Sequence, residues 1–340
     1  MFSLYSIFMK AIVMTSVGGP EVLQLQDVPP PAITRDTDIL VRLKAAGVNP
    51  VDTKLRGRGT YYPDRLPAVL GCDGAGVVET VGRAVRRFKA GDEVYFCYGG
   101  IGGPAGNYAQ YAVLDEGCVA RKPASLSFAE AAAAPLVLIT AWESLHDCGR
   151  LQAGQKVLIH AGAGGVGHVA IQLAKIAGAV VCATVGSREK AQFARRLGAA
   201  EVILYRETDF VPAVNDWSDG GVDLALDTVG GKTFAATFGC VRLYGNLITL
   251  LQPGADTDWK EARLRNLRIG LELMLSPMYF GYQDALHHQA DILEQCARLF
   301  DSGVLKIHLE RTFPLHQAAD AHRLLEQGAM TGKTALIMDE

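Results

Sequence analysis

The chain has 340 residues, of which 49% are hydrophobic and 20% are charged, and its formal net charge is −3. These values are typical of a globular protein that is long enough for two domains. The chain has no long run of basic residues, so its charge gives no indication of a nucleic-acid or anionic-lipid partner.

The cysteines and histidines predict no metal site. The seven cysteines are odd in number and widely spaced, without a C-x-x-C motif. This pattern favours reduced thiols in a cytoplasmic protein over a disulfide framework or a structural zinc lobe. The histidines form no H-E-x-x-H motif, and the adjacent His287 and His288 would point apart on a helix, as solvated surface residues.

The N-terminus is apolar, but it is too short to span a membrane. The run MFSLYSIF is followed by Lys10, and the apolar stretch Ala131–Trp142 is also short and contains Pro135. We therefore expect no membrane segment. Because Met9 begins a strand-like run, residues 1–8 are either an extension or the product of an upstream start codon.

Residues 10–125 are predicted to be rich in β-strands. Short apolar runs alternate with Gly and Pro turn signals, which indicates a small, strongly curved antiparallel unit. A helix is expected to begin near Ser127, with Glu130 completing a capping box. The predicted strands are Ala11–Met14, Ile39–Leu43, Gly76–Val81, Glu93–Cys97 and Tyr108–Val113.

From about residue 130 to residue 265, compact apolar strands alternate with helix-length segments such as Arg188–Leu197. This alternation predicts a doubly wound parallel sheet. Beyond it, an amphipathic helix is expected over about Gln283–Asp301 and a strand over Thr334–Met338. The predicted strands of the parallel sheet are Val157–Ile159, Val180–Thr184, Val202–Leu204, Val222–Asp227 and Leu247–Leu251.

The most informative stretch is KVLIHAGAGGVGHVAIQLAK, from Lys156 to Lys175. It is predicted to form a strand, a tight glycine turn and a helix, and it contains Gly162, Gly164 and Gly167 as G-x-G-x-x-G. In a dinucleotide site the first glycine allows a sharp turn, the second lets the backbone approach a pyrophosphate, and the third allows close packing of helix and strand. The alternative is a glycine-rich turn that only packs.

The end of the second predicted strand of this sheet favours NADPH over NADH. NAD sites usually carry an acidic residue there, but this chain has Gly186 and Ser187, followed by Arg188 and Lys190. An arginine can stack on adenine and bind a 2′-phosphate through two hydrogen bonds, and a lysine adds positive charge. The alternative is that both cations are ordinary solvent-facing helix residues.

The motifs of the chain resemble those of the medium-chain dehydrogenase/reductase superfamily, also called the alcohol dehydrogenase superfamily. The closest likeness is to its zinc-free quinone oxidoreductase branch, which includes zeta-crystallin. The likeness covers nearly the whole chain from Met9. The motifs that carry it are AAGVNPVD at 45–52, GCDGAGVV at 71–78, TAW at 140–142, AGAGGVG at 161–167, LGA at 197–199, DTVGG at 227–231 and GK at 332–333.

This resemblance implies an α/β fold in which a Rossmann domain is inserted into a GroES-like catalytic domain. The GroES-like domain would comprise residues 1–126 and 267–340, and the NADPH-binding Rossmann domain residues 127–266. The zinc-dependent branch has a cysteine ligand within the stretch occupied here by Asn49–Asp52, and His-Glu where this chain has Cys72-Asp73. One cysteine cannot build a catalytic zinc site, so Cys72 is expected to be a small buried residue.

The resemblance also implies the catalytic residues. Asn49 is expected near the nicotinamide and the substrate carbonyl, with Asp52 close by. A turn-forming role for Asp52 after Pro50 is equally compatible with the sequence. Tyr62, with its neighbour Tyr61, falls where the family often has an aromatic residue on the substrate side. A surface-loop position is the alternative for both tyrosines.

The cofactor residues implied by the resemblance are spread along the chain. Thr140 would contact the nicotinamide side, and Lys333 would reach back to the cofactor from the C-terminal strand. A charge flanking that strand is the alternative for Lys333. The remaining predicted contacts are Asn49, Gly162, Gly164, Gly165, Val166, Gly167, Ser187, Arg188, Lys190, Tyr205 and Asn246.

These expectations combine into one hypothesis. Hydride would pass from NADPH to a quinone or to the β-carbon of an α,β-unsaturated ketone or aldehyde, and polar groups rather than zinc would stabilise the negative charge on oxygen. A homodimer is expected, in which the strand Leu247–Leu251 either pairs with its twin or lies inside the sheet. The rival functions are a zinc-dependent alcohol dehydrogenase and a non-catalytic NADPH-binding sensor or structural protein.

Overall fold

The computed structural model describes residues 8–338, so the question of an N-terminal extension concerns residues that lie almost entirely outside the described part. The described chain divides into two units, one formed by residues 8–136, 275–303 and 307–338 and the other by residues 137–274 and 304–306. The domain limits at 126/127 and 266/267 stay predictions. None of the described helices combines the length and the apolar character that crossing a bilayer would require.

Sixteen strands are present within residues 8–338. They are β1 Met9–Met14, β2 Leu23–Val28, β3 Asp38–Val48, β4 Ala68–Val69, β5 Asp73–Val81, β6 Glu93–Cys97, β7 Tyr111–Asp115, β8 Ala120–Arg121, β9 Lys156–Ile159, β10 Val180–Val185, β11 Glu201–Leu204, β12 Val222–Asp227, β13 Val241–Thr249, β14 Arg268–Leu271, β15 Leu309–Pro314 and β16 Lys333–Ile337.

The same residues contain eleven α-helices and several short turns of 3₁₀ or π helix. The α-helices are α1 Pro50–Arg58, α2 Phe128–Ala133, α3 Pro135–Trp142, α4 Gly165–Ile176, α5 Arg188–Leu197, α6 Phe210–Ser218, α7 Gly231–Thr237, α8 Lys260–Leu264, α9 Ser276–Phe280, α10 Gln283–Asp301 and α11 Ala318–Glu326. The predicted capping box is confirmed, because the Ser127 N–H donates to Glu130 Oε2 over 2.9 Å at the start of α2.

The unit that contains residues 8–136 has antiparallel strand pairs throughout that segment, as predicted, whereas its C-terminal strands β15 and β16 pair in parallel. A three-stranded sheet has the order β2-β1-β4, and a seven-stranded sheet has the order β15-β16-β3-β5-β6-β8, with β7 also pairing with β3. The long strand β3 is at the centre of the larger sheet. Its last residues pair with β16, so that Val48 lies opposite Thr334. This pairing brings the C-terminal strand beside the start of α1.

The other unit is the predicted doubly wound sheet. Six parallel strands have the order β11-β10-β9-β12-β13-β14. The chain order therefore reverses beside β9, where an open parallel sheet binds its ligand at the carboxyl ends of its strands. The predicted strand Leu247–Leu251 overlaps β13, which is internal because β14 pairs with its outer side.

The core of the parallel unit lies between this sheet and the helices that follow β11 and β12. Its centre contains two aromatic rings, Phe234 and Phe238, whose centroids are 5.0 Å apart at an edge-to-face angle. Both side chains are fully buried. Burial of rings in this geometry stabilises the sheet–helix contact beyond the area it removes from water.

Candidate functional site

The glycine turn connects β9 to α4. Ala161 adopts a positive φ of 49° and starts the turn, whereas Gly162 is not among the glycines with positive φ. Gly162 lies within the turn at residues 160–163, but the left-handed residue there is Ala161, and the turning role of Gly162 stays a prediction. Gly162 is required for space, since a Cβ there would lie 2.8 Å from the Cβ of Ala183 on β10.

Gly167 packs closely, as predicted, while the role of Gly164 beside a pyrophosphate stays a prediction. A Cβ on Gly167 would lie 2.3 Å from the Ala161 carbonyl oxygen, which only glycine avoids. A Cβ on Gly164 would be tight against one atom, the Ala161 oxygen at 3.2 Å, and would meet no other heavy atom within 4 Å, so the surface is open on its other sides. Gly165 and Val166 are the first residues of α4. Their N–H groups and the helix dipole make this open surface suitable for a phosphate group.

The carboxyl end of β10 leads through Gly186 to Ser187, which caps α5. The Ser187 hydroxyl accepts a hydrogen bond from the Lys190 N–H over 3.3 Å. Arg188 is 79% exposed, and its guanidinium lies 3.7 Å from the Glu207 carboxylate. A strand end with a hydroxyl and two cationic residues, and with no acid before Glu189, provides a suitable site for a phosphorylated ribose.

Tyr205 lies beside this strand end, immediately after β11. A Cβ on Gly186 would be 2.7 Å from the Tyr205 hydroxyl oxygen, so the tyrosine crosses directly over the glycine. The Tyr205 side chain remains half exposed. The structure therefore places the Tyr205 hydroxyl beside Gly186, the residue before Ser187, and its assignment to the 2′-phosphate stays a prediction.

A buried polar cluster forms where β3, β5 and β16 meet. Lys333 Nζ donates to the Val48 carbonyl oxygen over 3.0 Å and to Asn49 Oδ1. Asn49 Nδ2 donates to Asp73 Oδ2 over 2.8 Å, and Asp73 Oδ1 accepts from the Leu136 N–H over 2.9 Å. Asn49 and Asp73 are 0% exposed and Lys333 is 2% exposed. Lys333 is therefore a buried member of this cluster and not a surface residue flanking the strand.

Asp52 adds a second carboxyl group to this cluster. Its Oδ2 accepts from the Asn49 N–H over 2.8 Å and from the Tyr108 hydroxyl over 2.9 Å. Its Oδ1 is buried without a hydrogen-bond partner. Asp52 therefore closes the first turn of α1, which is the turn-forming role, and it also belongs to the cluster.

Burial determines the protonation of these groups. It raises the pKa of Asp52 to about 7, with the hydrogen bonds from Asn49 and Tyr108 acting in the opposite direction. Burial also raises the pKa of Asp73 and lowers the pKa of Lys333, while the attraction between these two opposite charges opposes both changes. A proton on Asp52 would occupy Oδ1, because Oδ2 already accepts two hydrogen bonds.

The remaining predicted site residues lie in different surroundings. Tyr62 donates its hydroxyl to the Tyr279 carbonyl oxygen over 3.2 Å. Thr140 is buried in α3. Asn246 does not reach the glycine turn. It lies three residues before the end of β13, and its amide bonds the Gly149 carbonyl oxygen and the Arg268 guanidinium. Its assignment to the cofactor stays a prediction.

Four members of the polar cluster and its surroundings were not predicted from the sequence. Asp73 was quoted only as part of a motif, and Arg56, Tyr108 and His322 were not considered. The one local signal is that His322 lies four residues after Ala318 on the buried face of α11. The contacts that these residues make are long-range, so no local pattern indicates them.

The described residues contain no group of three or more His, Cys, Asp or Glu side chains arranged to hold a metal ion. Cys72 is fully buried, as expected of a small core residue. His287 and His288 are exposed on α10, as predicted.

Comparison with known proteins identifies the family. Residues 35–124 match the alcohol dehydrogenase GroES-like domain, and residues 197–336 match a family described as zinc-binding dehydrogenase. Quinone oxidoreductase 1 of Escherichia coli is 33% identical over 94% of this chain and 97% of its own length. The quinone oxidoreductase of Pseudomonas aeruginosa is 34% identical over 96% of this chain and 99% of its own length.

Solved structures give the same result. The Escherichia coli quinone oxidoreductase complexed with NADPH has a TM-score of 0.84 and 32% identity, over 96% of this chain and 99% of that one. An alcohol dehydrogenase superfamily protein from Novosphingobium aromaticivorans has a TM-score of 0.89 and 34% identity, over 97% of this chain and 100% of that one. The chain therefore belongs to the medium-chain dehydrogenase/reductase superfamily, in its quinone oxidoreductase branch.

Proposed function

We propose that this protein is an NADPH-dependent, zinc-independent oxidoreductase that reduces a quinone or an α,β-unsaturated carbonyl compound. The observation that carries the proposal is the open backbone surface at Gly164, at the first turn of α4 and beside the reversal of strand order. A pyrophosphate fits such a surface, because free N–H groups and the helix dipole both favour an anion.

The residues after β10 support NADPH as the coenzyme. Ser187, Arg188, Lys190 and Tyr205 would hold the adenosine 2′-phosphate, and no carboxylate precedes Glu189 to repel it. The Escherichia coli relative was solved with NADPH bound. Gly162, Gly165, Val166 and Gly167 would form the wall of the pyrophosphate site, and Thr140 would contact the nicotinamide side.

When bound, the coenzyme supplies a hydride from its reduced nicotinamide ring. The protein then has to stabilise the negative charge that develops on the acceptor oxygen. The Lys333 ammonium and the Asn49 amide provide a preorganised polar pair, because their mutual hydrogen bond and the bond from Asn49 to Asp73 hold both in place. Asp52 holds a proton on Oδ1 below about pH 7.

Independence from zinc is supported by the donor set at the corresponding positions. A zinc site needs about three protein ligands with free electron pairs. Here Asp73 accepts from Asn49 and from the Leu136 N–H, and the neighbouring group is the Lys333 ammonium, which carries no electron pair. The residues present do not fit zinc, and no step of the proposed reaction uses it.

A small aromatic cluster supports a planar acceptor such as a quinone. The ring of Tyr279 lies 5.2 Å from that of Tyr61 and 5.8 Å from that of Tyr62. The guanidinium of Arg65 lies 5.0 Å from the Tyr62 ring. Aromatic faces favour stacking of planar rings, and the adjacent cation favours an electron-rich carbonyl oxygen. An enone or enal is a smaller planar acceptor of the same chemistry.

Oxidation of NADPH and of NADH by chelator-washed protein, each with 1,4-naphthoquinone and with an enone, tests the proposal. We expect turnover with NADPH, a much weaker response with NADH and no loss of activity after chelation. Stoichiometric zinc with chelator-sensitive turnover would instead identify an alcohol dehydrogenase. Tight NADPH binding without turnover of either acceptor would identify a non-catalytic binding protein. A homodimer and a cytoplasmic location stay predictions.

A further inference from the structure

A series of buried hydrogen bonds leads from Arg56 through His322 and Tyr108 to Asp52. Arg56 Nη1 is 3.3 Å from His322 Nδ1, and His322 Nε2 is 3.2 Å from the Tyr108 hydroxyl oxygen. The Tyr108 hydroxyl is 2.9 Å from Asp52 Oδ2. Each of these four residues is at most 4% exposed. These hydrogen bonds connect Arg56 on α1 to His322 on α11, which are 266 residues apart in the sequence.

The direction of every hydrogen bond in this series follows from Arg56. A guanidinium only donates, so His322 Nδ1 accepts and the imidazole carries its proton on Nε2. The Tyr108 oxygen then accepts from His322, and the Tyr108 hydroxyl donates to Asp52. Burial and the nearby Arg56 charge lower the pKa of His322 to about 3, so the imidazole is neutral. Every donor in the series points toward Asp52.

Such a series orients Asp52 and does not supply it with protons. A proton entering the series would have to arrive at His322 Nδ1, where Arg56 holds its own protons at any physiological pH. Arg56 is itself held in place, because its Nε donates to the Gly18 carbonyl oxygen over 3.0 Å and its Nη2 pairs with Glu326. The series of hydrogen bonds therefore ends at Arg56 and has a fixed geometry.

We propose that His322, Tyr108 and Arg56 are positioning residues that hold the Asp52 carboxyl group against the backbone of Asn49 and set its protonation. The proposal rests on the proposed oxidoreductase function, because Asn49 matters there as a partner of Lys333. Without these hydrogen bonds, Asp52 would lose one of the two donors to Oδ2, and the start of α1 would be free to move relative to β16.

Other charged groups also act on Asp52. The Asp73 carboxyl on β5 raises its pKa, and the Lys333 ammonium on β16 lowers it. The Cys72 thiol beside β5 also interacts with the Asp52 charge. Removal of the Tyr108 hydroxyl leaves these groups in place and removes a donor that favours the ionised carboxyl group. The pKa of Asp52 should then rise by about one unit.

Three variants test the proposal through the pH dependence of kcat/KM for NADPH oxidation by 1,4-naphthoquinone. In Tyr108→Phe and His322→Leu we expect the apparent pKa to rise by about one unit and kcat to fall about tenfold, with KM for NADPH within about twofold of the original. His322→Gln should restore both values, because an amide offers one acceptor to Arg56 and one donor to Tyr108. Equal losses in His322→Gln and His322→Leu would overturn the proposal.

An infrared readout separates this proposal from the proposed function. The protonated carboxyl band of Asp52 can be followed in pH-difference spectra of the free protein and identified by its loss in Asp52→Asn. We expect its titration to move to higher pH in Tyr108→Phe, even if the protein proves unable to turn over NADPH. An unmoved titration in both Tyr108→Phe and His322→Leu would refute the positioning role, whatever the activity.

Discussion

At the residue scale, the pairing of Asn49 with Lys333 and Asp73 carries the candidate site. The side chains are fully buried, so each lost partner leaves a polar group without water to replace it. Asn49 is for this reason both a structural and a functional residue. The sequence indicated only the functional role, because the partners of its amide come from β5 and β16.

We predict that Asn49→Ala lowers kcat for NADPH oxidation at least about tenfold and the free energy of unfolding by about 2–3 kcal/mol, while NADPH affinity stays nearly unchanged. Steady-state kinetics, calorimetric titration and urea unfolding measure the three quantities. Asn107→Ala is the matched control, because this buried amide bonds only the carbonyl oxygens of Gly71, Cys72 and Tyr98. It should lose similar stability but keep its kcat within about twofold, and equal kcat losses would contradict the prediction.

A second prediction concerns coenzyme choice at Ser187. Aspartate caps helices as well as serine does, so Ser187→Asp should preserve α5 while adding a carboxylate at the end of β10. That carboxylate would accept from a ribose 2′-hydroxyl and repel a 2′-phosphate. We expect the ratio of kcat/KM for NADPH over NADH to fall at least about a hundredfold.

Ser187→Asn is the control for this change, because it retains a capping oxygen without the charge. Its coenzyme preference should stay close to that of the original protein. If the asparagine and aspartate variants change the ratio equally, the effect comes from shape rather than from charge, and the assignment of the 2′-phosphate site to this strand end is incorrect.

At the scale of the element, the turn between β9 and α4 contains glycines that we expect to be needed for two different reasons, packing and ligand binding. A Cβ on Gly167 would collide with the Ala161 oxygen at 2.3 Å, whereas a Cβ on Gly164 would meet only that oxygen, at 3.2 Å. The helix and its strand are predictable from local periodicity, but which glycine serves packing and which serves the ligand depends on the atoms that surround each one. The same turn also shows that a non-glycine residue, Ala161, supplies the positive φ.

Replacing each of the two glycines with alanine should therefore affect different properties of the protein. Gly167→Ala should lower the free energy of unfolding by about 1–3 kcal/mol, because its Cβ would collide with a backbone oxygen. Gly164→Ala should leave stability nearly unchanged and raise the Kd for NADPH at least about tenfold. Urea unfolding and calorimetric titration measure the two effects. A stable Gly167→Ala protein with normal binding would show that the turn relaxes easily.

At the scale of the whole molecule, buried neutral histidines couple stability to pH. The pKa of His322 is lowered to about 3 by burial, so below its ordinary value near 6.5 the unfolded chain binds a proton that the folded chain does not. The neutral His322 imidazole therefore contributes to the free energy of unfolding at neutral pH, and this contribution is lost as the pH falls. Asp52 acts in the opposite direction, because its raised pKa favours the folded state at lower pH.

Comparison of the original protein with His322→Gln isolates the histidine contribution, since both retain Asp52. Between about pH 7 and about pH 5, the original protein should lose about 2 kcal/mol more of its free energy of unfolding than the glutamine variant. Urea unfolding at both pH values measures this difference. Parallel pH profiles for the two proteins would mean that His322 is protonated in the folded state.

The predicted homodimer also concerns the whole molecule. Strand β14 is one edge of the parallel sheet; its last residue, Leu271, is 65% exposed, and Leu273 just after it is 49% exposed. We predict that replacing both leucines with glutamate converts a dimer into a monomer, because charge blocks edge-to-edge pairing. Light scattering measures the mass, and Val17→Glu serves as the control in an exposed apolar position. A dimer that persists in the leucine variant would place the contact elsewhere.

Local patterns in the sequence determined most of the architecture. The helices Arg188–Leu197 and Gln283–Asp301 begin and end where their periodicity predicted, and the alternation of strands and helices predicted the parallel sheet. Strand β2 was missed, although its first four residues, LQLQ, alternate apolar and polar side chains. The glycine turn was recognised for the same reason as the helices, since turn, strand and helix are adjacent in the chain.

Only the tertiary structure decided which side chains meet. Lys333 contacts Asn49 across 284 residues because β16 pairs with β3, and His322 contacts Arg56 across 266 residues. Strand pairing over such distances depends on the packing of the whole sheet, whereas periodicity reports only on neighbours within a few turns of chain. The buried network around Asp52 therefore could not be derived from the sequence, although every residue in it is printed there.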